Sequence, residues 1–178
     1  MDDINHKIYF ITKIIYKRIP IFTLNSKYSH IVIENLKYYC NKFKFGLYGF
    51  VIMPDHYHLI IDTFENFPIF KIKEDMNKYI AQQIKNVLKS TNAQILQNLK
   101  IITPPRKEHK RHKYRIFQKG RYDFNVVTPE KLIEKLTYIH NNPIRAKLIE
   151  KAEDYLFSSA RNYILEDNSL ITLDKLPI

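Results

Sequence analysis

The chain has 178 residues, of which 45% are hydrophobic and 13% aromatic, and its formal net charge is +11. This length and composition predict one folded domain over residues 1–178 and exclude a disordered chain. No apolar run approaches the roughly 18 residues of a membrane span, the start does not resemble a signal peptide, and the single Cys40 excludes an internal disulfide. We therefore expect a cytoplasmic protein, and its charge suggests a nucleic-acid partner, with use at the bacterial nucleoid.

The first hundred residues alternate between strand and helix patterns. β-Branched and aromatic residues indicate strands, whereas apolar residues at helical spacing indicate helices. The predicted elements are a strand at 7–16, a helix at 26–43, strands at 45–53 and 56–63, and a long helical region at 67–99 with a break near 90–92.

The second part begins with a polar loop at 100–113 and a strand at 114–127. Thr128 followed by Pro129 is a helix start, and Pro143 predicts that this helix ends at Asn142. Two short helices are predicted at 143–149 and 153–163. The order β-α-β-β-α-β predicts an α+β fold: a ferredoxin-like, split β-α-β antiparallel sheet with helices on one face. Its core would span about 5–142, with a C-terminal helical extension at about 143–178.

Two histidines, His56 and His58, stand in the strand predicted at 56–63. Residues two apart in a strand share a face and lie about 6.5–7 Å apart along the chain, so both rings can reach one ion. A buried imidazole needs a partner for its ring nitrogens, and a metal is one such partner. Chance occurrence of His-x-His is the alternative.

The helix that begins at Thr128 carries Tyr138 and, four residues later, Asn142. These two side chains share one helix face. A tyrosine can act as a nucleophile, and an amide oxygen can bind the ion held by the histidines. His140 faces roughly the opposite side and is expected to pack or to form hydrogen bonds. A tyrosine on an amphipathic helix is also commonly a core residue, so the spacing leaves both interpretations open.

Basic residues are concentrated between positions 106 and 121, where eight Lys or Arg residues accompany one acid. The predicted DNA-binding residues are Arg106, Lys107, Lys110, Arg111, Lys113, Arg115, Lys119 and Arg121. Two aromatic residues, Tyr114 and Phe117, are interleaved with them. Cations for phosphates and rings for bases favour single-stranded nucleic acid. The alternative is a solvated loop.

Two separate motifs carry a family resemblance. Met53–Ile61 (MPDHYHLII) resembles the His-hydrophobic-His segment of the single-tyrosine HUH transposases. Tyr138–Lys147 (YIHNNPIRAK) closely resembles the tyrosine segment of their REP-associated tyrosine transposase branch. The segments at 117–123 and 155–161 are also similar to that branch.

Three positions depart from the pattern of this branch. Asp55 stands where Asn is commonest, Phe157 replaces a usual Trp, and Lys147 replaces a usual Gly. None of these departures removes a chemical group from the candidate site, although Lys147 affects the turn that follows the tyrosine helix.

The resemblance implies a transposase that cleaves and rejoins single-stranded, hairpin-flanked DNA. His56, His58 and Asn142 would hold Mg²⁺ or Mn²⁺, and Tyr138 would form a 5′-phosphotyrosine while releasing a 3′-hydroxyl. The basic segment would bind the DNA backbone or a hairpin stem. The alternatives are a non-catalytic module that binds hairpin DNA or RNA, and a metal-dependent phosphodiesterase that uses water. A monomer and a homodimer both remain possible.

Overall fold

The computed structural model describes residues 6–64, 67–101, 114–120 and 123–178. Strands and helices alternate over most of this length, and short 3₁₀ turns occupy Tyr16–Arg18, Ile21–Thr23 and Ala152–Asp154. In chain order the main elements are β1 (Ile8–Ile14), α1 (Ser26–Phe43), β2 (Gly46–Met53), β3 (His56–Asp62), α2 (Ile69–Thr91), α3 (Ala93–Asn98), β4 (Asp123–Val126), α4 (Pro129–Arg145) and α5 (Ala160–Ile164).

The four strands form one sheet in the order β2-β3-β1-β4, and each neighbouring pair is antiparallel. The connection through α1 joins β1 to β2 across β3, and the connection through α2 joins β3 to β4 across β1. This topology is the split β-α-β arrangement, so the predicted α+β, ferredoxin-like fold is confirmed.

Both faces of the sheet are apolar, and different helices cover them. Leu36 of α1 and Ile80 of α2 pack on the face to which Leu59 of β3 points. Leu136 of α4 packs on the opposite face, together with Ile60. The prediction that the helices share one face therefore needs correction for α4. Central strands with apolar residues on both sides need a cover on each side.

Several element bounds differ from those predicted. α1 matches its prediction, and the long helical region breaks at Asn92, whose side chain caps α3. β4 is shorter than the predicted strand at 114–127, because Tyr114 and Phe117 make only isolated bridges. The C-terminal part holds a 3₁₀ turn and the five-residue α5 instead of a helix at 153–163.

α4 does not end at Asn142 as predicted but continues through Pro143 to Arg145. The backbone N–H of Ala146 still donates to the carbonyl of Asn142 at 2.9 Å, and that of Leu148 donates to the carbonyl of Pro143 at 3.0 Å. Pro143 itself cannot donate a backbone hydrogen bond, yet it stands inside the helix. No separate helix follows at 143–149.

The segment after α4 covers the outer edge of β2. The Ser159 hydroxyl accepts a hydrogen bond from the N–H of Phe50 at 2.9 Å, and Asp174 accepts one from the N–H of Leu47 at 2.8 Å. The same Ser159 hydroxyl lies 2.9 Å from Nε2 of His140. α4, β2 and the C-terminal segment are thus joined at one point, and an edge that could pair with other chains is protected.

Helices that could cross a membrane are absent from the part of the chain that the structure describes.

Lys147 adopts a left-handed backbone conformation, with φ of 56°, directly after α4. This conformation strains a residue with a Cβ atom, whereas glycine adopts it freely. We expect Lys147→Gly to raise the free energy of unfolding by about 0.5–1 kcal/mol in urea titrations. Lys151→Gly is the matched control. The backbone of Lys151 is extended, so glycine at this position should lower the free energy of unfolding instead. An equal effect at both positions would contradict the strain argument.

Burial lowers the pKa of His140 to about 4, against an ordinary value of 6.5. Between these two pH values the unfolded chain binds a proton that the folded chain does not. Wild type should therefore lose stability relative to His140→Gln by up to about 1.4 kcal/mol per pH unit as the pH falls from 6.5 toward 4. Above pH 6.5 the difference should stay constant. Urea unfolding of both proteins in EDTA measures this difference in the free energy of unfolding. A difference that does not change with pH would refute the lowered pKa of His140.

Candidate active site

The pairing of β1 with β3 places both predicted histidines on the sheet face covered by α4. In this register Thr12 lies opposite His58, and Ile14 lies opposite His56. The centroids of the two imidazole rings are 4.9 Å apart, with an interplanar angle of 80°. Both rings line one open groove, as expected from their two-residue spacing.

His58 is the more buried of the two histidines, with 5% of its surface exposed. Its Nδ1 lies 2.7 Å from the hydroxyl of Thr12, whereas its buried Nε2 has no hydrogen-bond partner among the described residues. Burial, and to a smaller extent the neighbouring His56, lowers the pKa of His58 to about 3. The ring is therefore neutral at physiological pH. When Nδ1 donates its proton to Thr12, Nε2 offers a lone pair to a ligand.

His56 is oriented by a carboxylate instead of a hydroxyl. Its Nδ1 lies 2.6 Å from Oδ1 of Asp55, and Oδ2 of Asp55 accepts a hydrogen bond from Arg18 at 2.9 Å. Burial acts to raise the pKa of Asp55, but the hydrogen bonds and charges of His56 and Arg18 outweigh it and lower that pKa overall. The carboxylate keeps the proton of His56 on Nδ1 and leaves Nε2 for another partner, as around histidines that bind metals.

The opposite wall of the groove is a single face of α4. Lys135, Tyr138, Asn142 and Arg145 follow one another at spacings of three, four and three residues, which places them in one row along the helix. The Tyr138 ring is half-buried, and its centroid lies 5.6 Å from that of His58. The guanidinium of Arg145 lies over the same ring, 4.9 Å from its centroid.

Asn142 contributes the second unpaired polar atom of the groove. Its side-chain Nδ2 is buried and has no hydrogen-bond partner among the described residues. Rotation of the amide exchanges Nδ2 with Oδ1, so the side chain can also offer an oxygen at this place. The groove has a volume of about 540 Å³. Its lining consists of Thr12, Ile14, Arg18, Met53, His56, His58, Tyr138, Asn142, Arg145 and Ala146.

These residues fit a divalent ion with an incomplete set of protein ligands. In the described part of the chain, no three His, Cys, Asp or Glu side chains form a cluster that could hold a metal. Nε2 of His58, which has no hydrogen-bond partner among the described residues, could bind such an ion together with His56 and the amide of Asn142. Two nitrogens and one oxygen would leave positions open for water or phosphate oxygens.

The predicted basic segment is only partly described. Arg115 and Lys119 are seen, and neither lines the groove; the guanidinium of Arg115 lies over the ring of Tyr16. The other predicted DNA-binding residues, Arg106, Lys107, Lys110, Arg111, Lys113 and Arg121, lie outside the described residues.

Sequence reasoning missed the cations that border the candidate site. Lys135 and Arg145 share the row of Tyr138 and Asn142, so the helical spacing could have identified them. No spacing in the sequence indicated that Arg18 would border the candidate site. It reaches Asp55 through a turn in which Lys17 and Arg18 both have positive φ, at 59° and 51°.

We compared the sequence and the fold with known proteins. A sequence model described as "Transposase IS200 like" matches residues 3–100, which include both histidines. No curated protein matches the chain. Among solved structures, the fold is similar to one described as the "Structure of the REP associates tyrosine transposase bound to a REP hairpin". The TM-score is 0.62 at 14% identity, covering 97% of this chain and 88% of that one.

The family model extends over more than half of the chain and spans β1 through α3. The structural similarity extends further and includes the helix that carries Tyr138. The resemblance seen in the two sequence motifs is thereby confirmed at the level of the family. The chain belongs to the family of IS200-like transposases.

Proposed function

We propose that this chain cleaves and rejoins single-stranded, hairpin-flanked DNA through a 5′-phosphotyrosine formed on Tyr138. The observation that carries the proposal is the meeting of Tyr138 with His58 across one groove, with ring centroids 5.6 Å apart. A candidate nucleophile thus stands beside a buried, neutral histidine whose Nε2 has no hydrogen-bond partner in the described part of the chain. This arrangement has the parts that metal-assisted phosphoryl transfer requires.

His56, His58 and Asn142 would hold the ion, Mg²⁺ or Mn²⁺, which supplies Lewis-acid polarisation of the scissile phosphate when bound. Thr12 and Asp55 would fix the orientation of the two imidazoles through their Nδ1 atoms.

The Tyr138 oxygen would attack the phosphorus and lose its proton, while the bond from phosphorus to the 3′ oxygen breaks and that oxygen takes up a proton. Because the new ester keeps the energy of the broken bond, attack by a 3′-hydroxyl restores the strand without ATP. Arg145, held over the Tyr138 ring, would place positive charge beside the phosphate under attack.

Three features support hairpin DNA as the substrate. The net charge is +11, the groove carries arginines at both walls, and the similar fold was solved with a REP hairpin. The tyrosine and the histidines also meet within one chain, which favours a monomer as the working unit over a homodimer that exchanges tyrosine helices.

The first test concerns the nucleophile. With Mn²⁺ and an end-labelled single strand that contains a hairpin, wild type should form a covalent adduct that survives denaturing electrophoresis. Tyr138→Phe should abolish the adduct, because it removes the attacking oxygen while keeping the ring. Tyr79→Phe is the matched control, since Tyr79 is an exposed tyrosine of α2 that does not line the groove.

The alternatives give different results in the same experiment. Cleavage that persists in Tyr138→Phe without an adduct would refute the tyrosine mechanism and indicate a phosphodiesterase that uses water. Hairpin binding without any cleavage by wild type would indicate a non-catalytic module.

The second test concerns the metal and does not depend on activity. Calorimetric titration with Mn²⁺ should show one site in wild type, and His58→Phe should abolish it because the unpaired nitrogen is lost. Thr12→Val should weaken binding by about 10- to 100-fold, because the acceptor that orients His58 is removed. His30→Phe, on the exposed side of α1, should bind like wild type. Unchanged Mn²⁺ affinity in His58→Phe would refute the proposed ligand set.

A further inference from the structure

A row of aromatic rings leads from the candidate active site to the edge of the sheet. Phe10 of β1 lies beside His58, with ring centroids 5.1 Å apart. Phe124 of the edge strand β4 stacks on the other side of Phe10, at 5.2 Å and an interplanar angle of 25°. Phe10 is buried, whereas 46% of Phe124 is exposed. The row therefore ends in an accessible ring.

Exposure alone would not distinguish Phe124, because folded proteins leave many apolar residues at the surface. Among the exposed aromatic residues that the structure describes, Phe124 is the one whose ring stacks on a neighbour of both His58 and Tyr138. Phe124 is thus one ring removed from the candidate nucleophile, and we asked what its exposed ring could bind.

A lysine completes this surface. The ammonium of Lys135 lies 5.1 Å from the Phe124 centroid and 5.9 Å from the centroids of Phe10 and Tyr138. It also pairs with Glu134 at 2.9 Å, and Glu134 has a second cation, Lys131, at 2.6 Å. Exposed ion pairs are weak. Lys135 can therefore leave Glu134 for a phosphate without leaving that carboxylate unpaired.

We propose that Phe124 and Lys135 form a binding subsite for one unpaired nucleotide next to the phosphate attacked by Tyr138. The base stacks on Phe124, and the phosphate binds the Lys135 ammonium. Lys135 precedes Tyr138 by three residues, so the two side chains are neighbours on one face of α4. The position beside a scissile phosphate rests on the proposed function, whereas the binding itself does not.

The chemistry of this surface favours a nucleotide over other ligands. A ring face and a cation match a base and its phosphate, and stacking accepts any base because each has a π-face. The subsite would therefore hold the strand without reading its sequence.

The absence of tryptophan from the sequence permits a direct test. Phe124→Trp places a single tryptophan at the subsite, which excitation at wavelengths that tyrosine does not absorb selects, and Tyr138→Phe in the same chain prevents covalent chemistry. A 20-nucleotide oligothymidylate should quench this tryptophan, whereas an abasic deoxyribose-phosphate strand of equal length should not. Tyr38→Trp is the control, because Tyr38 is 58% exposed on α1 and lies outside the groove. Its fluorescence should not distinguish the two strands.

Affinity measurements by fluorescence anisotropy separate the two residues. In the Tyr138→Phe background, Phe124→Ala should weaken oligothymidylate binding by about fivefold or more and leave abasic binding unchanged. Lys135→Gln should weaken binding to both strands. It should also reduce the slope of log affinity against log salt by about 0.7, the value of one phosphate contact on a single strand.

The outcomes distinguish a failure of this subsite from a failure of the proposed function. Base-dependent quenching at Phe124→Trp, together with no adduct formation by wild type, would leave the subsite intact and refute the tyrosine mechanism. Adduct formation by wild type, with equal quenching by both strands or with unchanged affinity in Phe124→Ala, would overturn the subsite alone. Should Phe124→Ala fail to fold by circular dichroism, the comparison of strands with Phe124→Trp decides the question.

Discussion

The antiparallel register of β1 and β3 is the constraint on which the candidate site depends. It places Thr12 beside His58 and turns both histidines toward α4. A slip of one residue would turn the same side chains into the core beneath α1 and α2. The slip is opposed because it would remove the Tyr57 ring from the core beneath α1 and α2, where its hydroxyl donates to Asn77, and would bury His56 and His58 there instead. The packing of apolar residues therefore fixes which face of the sheet can carry chemistry.

α4 combines two functions on adjacent faces. One face packs on the sheet through Leu136 and Ile139, and the row next to it carries Tyr138 to the histidines. Gly49 of β2 lies at this contact, where a Cβ atom would lie 2.7 Å from Cδ2 of Leu136 and 3.0 Å from Cδ1 of Ile139, so a larger residue would make these side-chain ends shift. The face of α4 that packs on the sheet thus lies against a glycine of β2, whereas Tyr138 belongs to the neighbouring row.

Sequence periodicity was sufficient to predict the order of the elements. It also predicted the two parts of the candidate site, one on the strand with the histidines and one on the helix with Tyr138. The spacing within His56-x-His58 and from Tyr138 to Asn142 predicted which side chains share a face, because strand and helix periods are local properties. The extension of α4 past Pro143 was not predictable, since the cost of one missing hydrogen bond is offset by packing that sequence patterns do not show. The cover that α4 gives to the second face, and the contact of Arg18 with Asp55, depend likewise on tertiary structure.

Under the proposed function, the charges around the groove bear on how an ion and DNA would bind together. His58 is neutral, Asn142 carries no charge, and the carboxylate of Asp55 is already engaged by Arg18. Ligands of this kind would neutralise little of the charge of a divalent ion. Most of its attraction would remain for phosphate oxygens, which are also the ligands that Mg²⁺ commonly takes from a substrate. The scissile phosphate would then complete the coordination that the protein leaves open, so that each partner strengthens the binding of the other.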